Sequence, residues 1–227
     1  MDIKKSSGLI LHPSSLPGEY GIGDIGLNSF NFVDFLKSSK TNIWQVLPLG
    51  ITDEVEYSPY SSKSSILGNP YLISINDIEN NMFDKDSLNN LKELSNYEVE
   101  YKKVYSYKQS LFQSVSKRID LKDYSDFLNK NELFKKHLTF VTLSEVHGNN
   151  WVEWDKDYLN YSEDTFQKVI EKFKDTFAKN VFLQYEFDSQ WKKLKNYANL
   201  NNVSILGDIP IYVNHNSADV WLNKALF

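Results

Sequence analysis

Apolar positions along the chain fall into two kinds of run. Gly8–His12 (GLILH), Ile43–Leu47 (IWQVL) and Val203–Ile209 (VSILGDI) are short and nearly continuous, each closed by proline, glycine or both. Such runs read as strands buried on both faces. A weaker short run, Tyr71–Ile75, reads as a fourth strand. The rest is helical in spacing. Phe30, Phe32, Val33, Phe35 and Leu36 form one wide apolar face behind Asn28, a candidate N-cap, and ending at the polar stretch Lys37–Lys40. Leu88, Leu91 and Leu94 mark a second helix, Val104, Tyr107, Leu111 and Val115 a third, and Phe166, Ile170, Phe173 and Phe177 a fourth. Phe182, Tyr185, Trp191, Leu194 and Tyr197 lie on a helix leading into the strand at Val203. Strands alternating with helices predict an α/β fold with a parallel sheet.

From about 80 to 180 glycine nearly vanishes and charged helical spacing dominates. The expected organisation is therefore a first segment at 1–79, a helical insertion at 80–180, and a return to strand and helix at 181–227. Outside the insertion roughly 125 residues remain. A (β/α)8 barrel takes about 250 residues and eight strands. The pattern accounts for an incomplete barrel with its first three strands, or for a small open sheet with two bare edges.

Composition narrows the function. The net charge is −5, Arg118 is the only arginine, and no basic patch stands out, which argues against nucleic acid or phosphate recognition. With no cysteine, disulfides and thiolate metal sites are excluded. The four histidines, His12, His137, His147 and His215, lack metal-ligand spacing. The N-terminal apolar run is too short for a signal peptide and no stretch reaches transmembrane length, so a cytoplasmic protein without membrane contact is expected. GIGDIG at 21–26 follows a loop rather than a strand, which weakens a phosphate-loop reading.

Chemistry concentrates at strand ends. Asp208 closes an apolar strand, where an unpaired buried carboxylate is costly, so it is either paired or open to a cleft. His12 follows the first strand and either lines a site or shapes the loop at Pro13. The loop Tyr57–Ser62 (YSPYSS) offers hydroxyls and aromatic faces, the combination that reads a sugar, though a solvated serine-rich loop has the same composition. Trp151 and Trp154, close to Gly148 and two asparagines, are either core or a sugar platform. Glu186, Asp188 and Asp219 read as caps or solvated charges.

Several of these tracts, in this order, resemble the amylomaltases, a family of 4-alpha-glucanotransferases. GLILHPSSLPGEYGIGDIG at 8–26 is similar to the family's opening, as are WQVLPLG at 44–50, SPYSS at 58–62 and GNPYLI at 68–73. GNNWVEW at 148–154 resembles its GxxWxxWP signature, with Asp155 where proline is usual. LGDIPIYV at 206–213 and SADVW at 217–221 resemble the motif at its third barrel strand, with Asn216 where aspartate is usual. The loop at Asp53–Tyr57 is one residue longer than the usual form.

The resemblance implies a catalytic (β/α)8 barrel that moves α-1,4-glucan segments between maltooligosaccharides by a retaining mechanism, with no cofactor. It places Tyr60 against the sugar beside the scissile bond, with Ser58 and Asp208 as further substrate-binding residues; His12, at the end of the first strand, is the fourth substrate-binding candidate. It places the nucleophile, the acid/base and a third essential carboxylate beyond later strands, so the 227 residues alone are expected to be inactive. A split enzyme, with the C-terminal part supplied by a second chain, and a non-catalytic glucan-binding fragment are the alternatives.

Overall fold

The computed structural model describes residues 5–78, 82–83, 88–89, 94–95, 97–129 and 132–227. Three strands, β1 (Gly8–Ile10), β2 (Ile43–Gln45) and β3 (Ser204–Leu206), form a parallel sheet in the order β1-β2-β3. Leu9, Trp44 and Ile205 are in register, as are Ile10, Gln45 and Leu206. Each strand is shorter than its apolar run. His12 already caps a 3-10 turn at Pro13–Ser15, and Pro48 follows β2 closely.

Residues in register point to one side of a sheet, and the two sides differ. On one, Trp44 is fully buried, packs edge-on against Phe32 at 5.0 Å, and donates from Nε1 to the Leu11 carbonyl at 2.7 Å. On the other, Ile10 and Leu206 are 65% and 52% exposed. The expected burial on both faces is thus corrected: at the centre of the sheet only the Trp44 side is buried, and Ile43 and Gln45 on the other side are half-buried, because helices cover a single side.

The helices are α1 (Leu27–Ser38), α2 (Tyr101–Val115), α3 (Ser125–Asn129), α4 (Glu132–His147), α5 (Glu163–Lys172), α6 (Lys174–Leu200) and α7 (Ala218–Leu222). The expected cap of α1 is corrected: Gly26 occupies the N-cap, while Asn28 donates to the Pro17 carbonyl. The single helix expected over Phe166–Phe177 is two, broken at Phe173. Tyr71–Ile75 is no strand but carries parts of two 3-10 turns, Pro70–Leu72 and Ile75–Asp77. Leu91, in the helix expected around Leu88–Leu94, lies outside the described residues.

The long helix α6 is shared by two cores. Phe182, Leu194 and Ala198 join Val33, Leu36, Trp44, Val104 and Leu111 beneath the sheet. Phe177 and Val181 join Leu138, Phe140, Trp154, Val169 and Trp221 in the second. Two glutamines of α6 also hold the segment 68–74 by its backbone. Gln184 accepts from the Gly68 N–H at 2.9 Å and donates to its carbonyl at 2.8 Å; Gln190 does the same for Ser74 at 2.8 and 3.1 Å. The two ends of a turn-rich segment thereby satisfy their backbone groups. No helix among the described residues is long and apolar enough to cross a membrane.

Two buried bases contribute to the pH response. Lys108 is fully buried in α2 and donates to the Tyr71 carbonyl at 2.7 Å; burial pulls its pKa from 10.5 down to about 8, against the attraction of Asp24. His137, buried in α4, bonds Ser64 Oγ at 2.8 Å, and burial lowers its pKa from 6.5 despite the nearby charge of Asp219. In both cases the unfolded chain takes up the proton first as pH falls, so stability rises with pH. The His137 contribution is lost as pH drops below 6.5. The Lys108 contribution grows between about 8 and 10.5. Urea midpoints measured from pH 5 to 10 should therefore climb at both ends of the range, and Lys108→Met should flatten the alkaline rise.

Candidate functional site

Because the three strands are parallel, their C-terminal ends share one edge of the sheet. His12 follows β1 there, the loop Gly50–Gly68 leaves from β2, and Asp208 lies two residues past β3. The loop is tied back on itself by antiparallel bridges pairing Gly50 with Gly68 and Thr52 with Ser62. Asp53 Oδ1 accepts the amides of Val55 and Glu56 at 2.8 and 2.7 Å, turning the chain toward Tyr57.

Tyr57 holds a left-handed backbone conformation, φ 54°, supported by its ring. That ring stacks on Tyr101 at 5.5 Å and meets Tyr105 edge-on at 4.7 Å; Tyr105 stacks in turn on Tyr71 at 3.6 Å. The serine- and tyrosine-rich loop is thus mounted on helix α2, an anchorage the sequence pattern misses because Tyr101 and Tyr105 carry no motif.

Beyond this anchor Ser58 makes a tight turn: its Oγ accepts the Tyr60 amide at 3.3 Å, and its carbonyl the Ser61 amide at 3.1 Å. Tyr60 then reaches across to β3. Its Oη donates to Asp208 Oδ2 at 2.7 Å, while Asp208 Oδ1 accepts the Ile209 amide at 2.8 Å. The bond to Asp208 raises the Tyr60 pKa, keeping the phenol protonated. The tyrosine is 44% exposed, so it combines an accessible aromatic face with a carboxylate held beside its hydroxyl. An apolar ring face and a fixed acceptor are the two elements that recognise a pyranose.

Ser58, Tyr60 and Asp208 are therefore brought together. His12 lines a cavity of about 120 Å³ together with Tyr57 and Pro59, which flank Ser58, and Tyr105. Its Nδ1 bonds Ser14 Oγ at 2.8 Å. Burial lowers its pKa, partly opposed by the Pro48 carbonyl, so the ring is neutral at neutral pH. Trp151 and Trp154 are buried, at 6% and 5% exposure, with their N–H groups bonded to the His215 and Gly148 carbonyls. They are core, not a sugar platform. Asp219 binds the Ser65 amide and hydroxyl, tying α7 to the loop. Among the described residues no group of three or more His, Asp or Glu side chains is arranged to hold a metal ion.

Fold and site together define an α/β protein with an aromatic and carboxylate pair at the C-terminal edge of a parallel sheet. A profile of the 4-alpha-glucanotransferases matches residues 11–227, and the chain belongs to that family. It is 38% identical over 226 residues to the 4-alpha-glucanotransferase of Aquifex aeolicus, covering 97% of this chain and 46% of the relative. It is 40% identical over 233 residues to that of Clostridium butyricum, covering 96% and 46%. The structure of amylomaltase from Streptococcus agalactiae in complex with acarbose superposes with a TM-score of 0.87 at 32% identity, covering 99% of this chain and 47% of that one. Amylomaltase from Corynebacterium glutamicum, at 17% identity and a TM-score of 0.69, shares the fold. The chain spans about 46% of the length of the relatives it matches.

Proposed function

We propose that these 227 residues form the first three strands of a (β/α)8 barrel with a helical insertion, the N-terminal part of a cytoplasmic 4-alpha-glucanotransferase acting on maltooligosaccharides. The observation that carries this reading is the 2.7 Å bond between Tyr60 and Asp208 at the C-terminal edge of the sheet, where barrel enzymes build their sites. In this reading Tyr60 packs on the sugar beside the scissile bond, Asp208 and Ser58 hold its hydroxyls, and His12 shapes the wall behind them. The open side of the sheet, with Ile10 and Leu206, faces the barrel lumen and packs once the remaining strands close around it.

The chemistry in this reading is double displacement. One carboxylate attacks the anomeric carbon as a second protonates the departing glucan oxygen; an acceptor sugar hydroxyl, deprotonated by that second group, then displaces the carboxylate. Asp208 is spoken for by Tyr60 and the Ile209 amide and serves as a substrate-binding group. Both reacting carboxylates then belong to the later strands, and the present residues bind glucan without turning it over. The exposed Leu206, Ile209 and Ile211 give those later strands an apolar surface to pack on, whether they come from a longer single chain or from a second polypeptide.

Titrating the chain with maltotriose, followed by the amide spectrum, should move the signals of residues 58–61 and 207–209. Tyr60→Ala should weaken that binding at least ten-fold, and no glucose or longer oligosaccharide should accumulate. Robust disproportionation by the chain alone would sink the assignment of both carboxylates to later strands. Unmoved signals at both segments would sink the sugar site.

A further inference from the structure

The loop that presents Tyr60 is acidic at its tip. Asp53, Glu54 and Glu56 stand within four positions of one another, and Tyr60 closes from this loop onto a further carboxylate, Asp208. Carboxylates gathered in this way repel one another, and the repulsion opposes that approach. Lys63 is the one basic residue of the loop Gly50–Gly68.

Its burial calls for a reason. The residue is 8% exposed, and a lysine is seldom buried so far without a partner. Backbone bonds hold it on both sides. Its amide donates to the Ile51 carbonyl at 2.8 Å, and its carbonyl accepts the Ala218 amide, at the start of α7, at 2.9 Å. The Asp53 amide donates to the Ser61 carbonyl at 3.1 Å, so the arms 51–53 and 61–63 run antiparallel up to the acidic tip. From the base of these arms the ammonium of Lys63 reaches Glu54 Oε1 at 3.4 Å. Its charge acts on Asp53 as well. Against the penalty of burial, bonds from Ser61 and from the Glu56 and Val55 amides, together with the Lys63 charge, hold the Asp53 pKa below its usual 3.8. A second buried lysine, Lys179 of α6, shares a cavity of about 60 Å³ with Lys63 and Glu54, but it is paired with Glu145 of α4 at 2.5 Å. That pair is closed on itself, and Lys63 is left to the loop.

We propose that Lys63 is a positioning residue for the Tyr60–Asp208 site: its buried ammonium neutralises the acidic tip of the loop and so lets Tyr60 close onto Asp208. It acts through the loop. The proposal rests on the glucan reading of that site and adds a residue which that reading does not use. Without the cation, Asp53, Glu54 and Glu56 push the tip away from Asp208, and the ring that receives the sugar is less often in place.

The test compares the parent chain with Lys63→Met, Lys63→Arg and the double variant Lys63→Met/Glu54→Gln. Each is titrated with maltotriose and followed by the amide signals of residues 58–61 and 207–209. Lys63→Met should lower the affinity about ten-fold. Lys63→Arg keeps the charge, and the cavity of about 240 Å³ that Lys63 also lines has room for the longer side chain, so affinity should return to within two-fold. The double variant should regain about three-fold. So should Lys63→Met in about 1 M sodium chloride, where charges are screened beyond about 3 Å. Both treatments relieve repulsion without restoring the lost packing, so a merely structural role would respond to neither. Without sugar, the same signals should shift in Lys63→Met and move back in the double variant. The indole signals of Trp44 and Trp221, one in each core, report an intact fold. If Lys63→Met does not fold, Lys63→Gln carries the same expectations. Parent-like affinity in the neutral variant overturns the proposal, as does a loss that neither Glu54→Gln nor salt relieves. If the parent binds no maltotriose, the glucan reading falls and the sugar-free signals decide alone. Shifts at 58–61 and 207–209 that Glu54→Gln reverses then support the proposal, and unmoved signals overturn it.

Discussion

Gly68→Val should lower the stability of the fold by about 3 kcal/mol, the upper range for overpacking a well-filled core. A Cβ at position 68 would lie 2.1 Å from Cδ1 and 2.2 Å from Cε1 of Phe187, well inside contact distance. Neither partner has an easy retreat. Both backbone groups of Gly68 are clasped by Gln184, and the residue bridges Gly50 on its other side. Phe187 is buried in the core beneath the sheet. The glycine is required by close approach to helix α6; its backbone angle is not among the left-handed ones. A urea titration would read the loss as a lower midpoint at unchanged slope. Gly68→Ala should be smaller in effect and partly relieved in a double mutant with Phe187→Ala, since the two changes act on one contact. A parent-like midpoint for Gly68→Val would show that the segment does not lie against α6 in this way. The consequence reaches the candidate site, because Gly68 closes the base of the loop that presents Ser58 and Tyr60.

Trp44→Ala should cost about 4 kcal/mol, in the range for deleting a buried tryptophan. The indole is fully buried at the centre of the sheet, packs on Phe32, and supplies the donor for the Leu11 carbonyl next to His12. Removal leaves a large void and a carbonyl without its partner, two penalties at one position. The Leu11–His12 segment loses one of its two ties to β2, keeping the bond from the Leu11 amide to the Gln45 carbonyl, so the cavity behind the tyrosine loop should loosen in part with the core. Trp44→Phe separates the two contributions: it keeps most of the packing and deletes only the hydrogen bond, and should cost about 1–2 kcal/mol. Thermal or urea unfolding of the two variants side by side checks the order. Equal losses would mean that the hydrogen bond, and not the ring volume, dominates.

The family, the parallel strands and their order of appearance were legible in the apolar runs and the tracts around them. GLILH, IWQVL and VSILGDI sit where β1, β2 and β3 form, and Asp208 and the YSPYSS loop meet at the sheet edge. Less legible were the ends and breaks of elements. Phe173 has an ordinary helical neighbourhood in sequence, yet the chain turns there, and Tyr71–Ile75 reads as a strand but packs as turns against α6. At Tyr71–Ile75 the deciding contacts come from residues far along the chain: the Gln184 and Gln190 carboxamides lie 116 positions from the groups they bind on either side of it. Lys108 was equally invisible. A lysine three residues from Tyr105 on a helix reads as a solvated charge, and the Tyr71 carbonyl above it and the nearby charge of Asp24 make its burial tolerable.

Local order along the chain determined which residues prefer strand, helix or turn, and which tracts carry the family's chemistry, because those depend on side-chain type and spacing within a few positions. Tertiary structure alone decided that Tyr60 donates to Asp208 from 148 positions away, that Trp151 and Trp154 are core, that one side of the sheet is covered and the other open, and that Lys63 lies buried beside Glu54. Each of these depends on where distant segments meet, and a hydrogen bond or a buried surface exists only once both partners are in place.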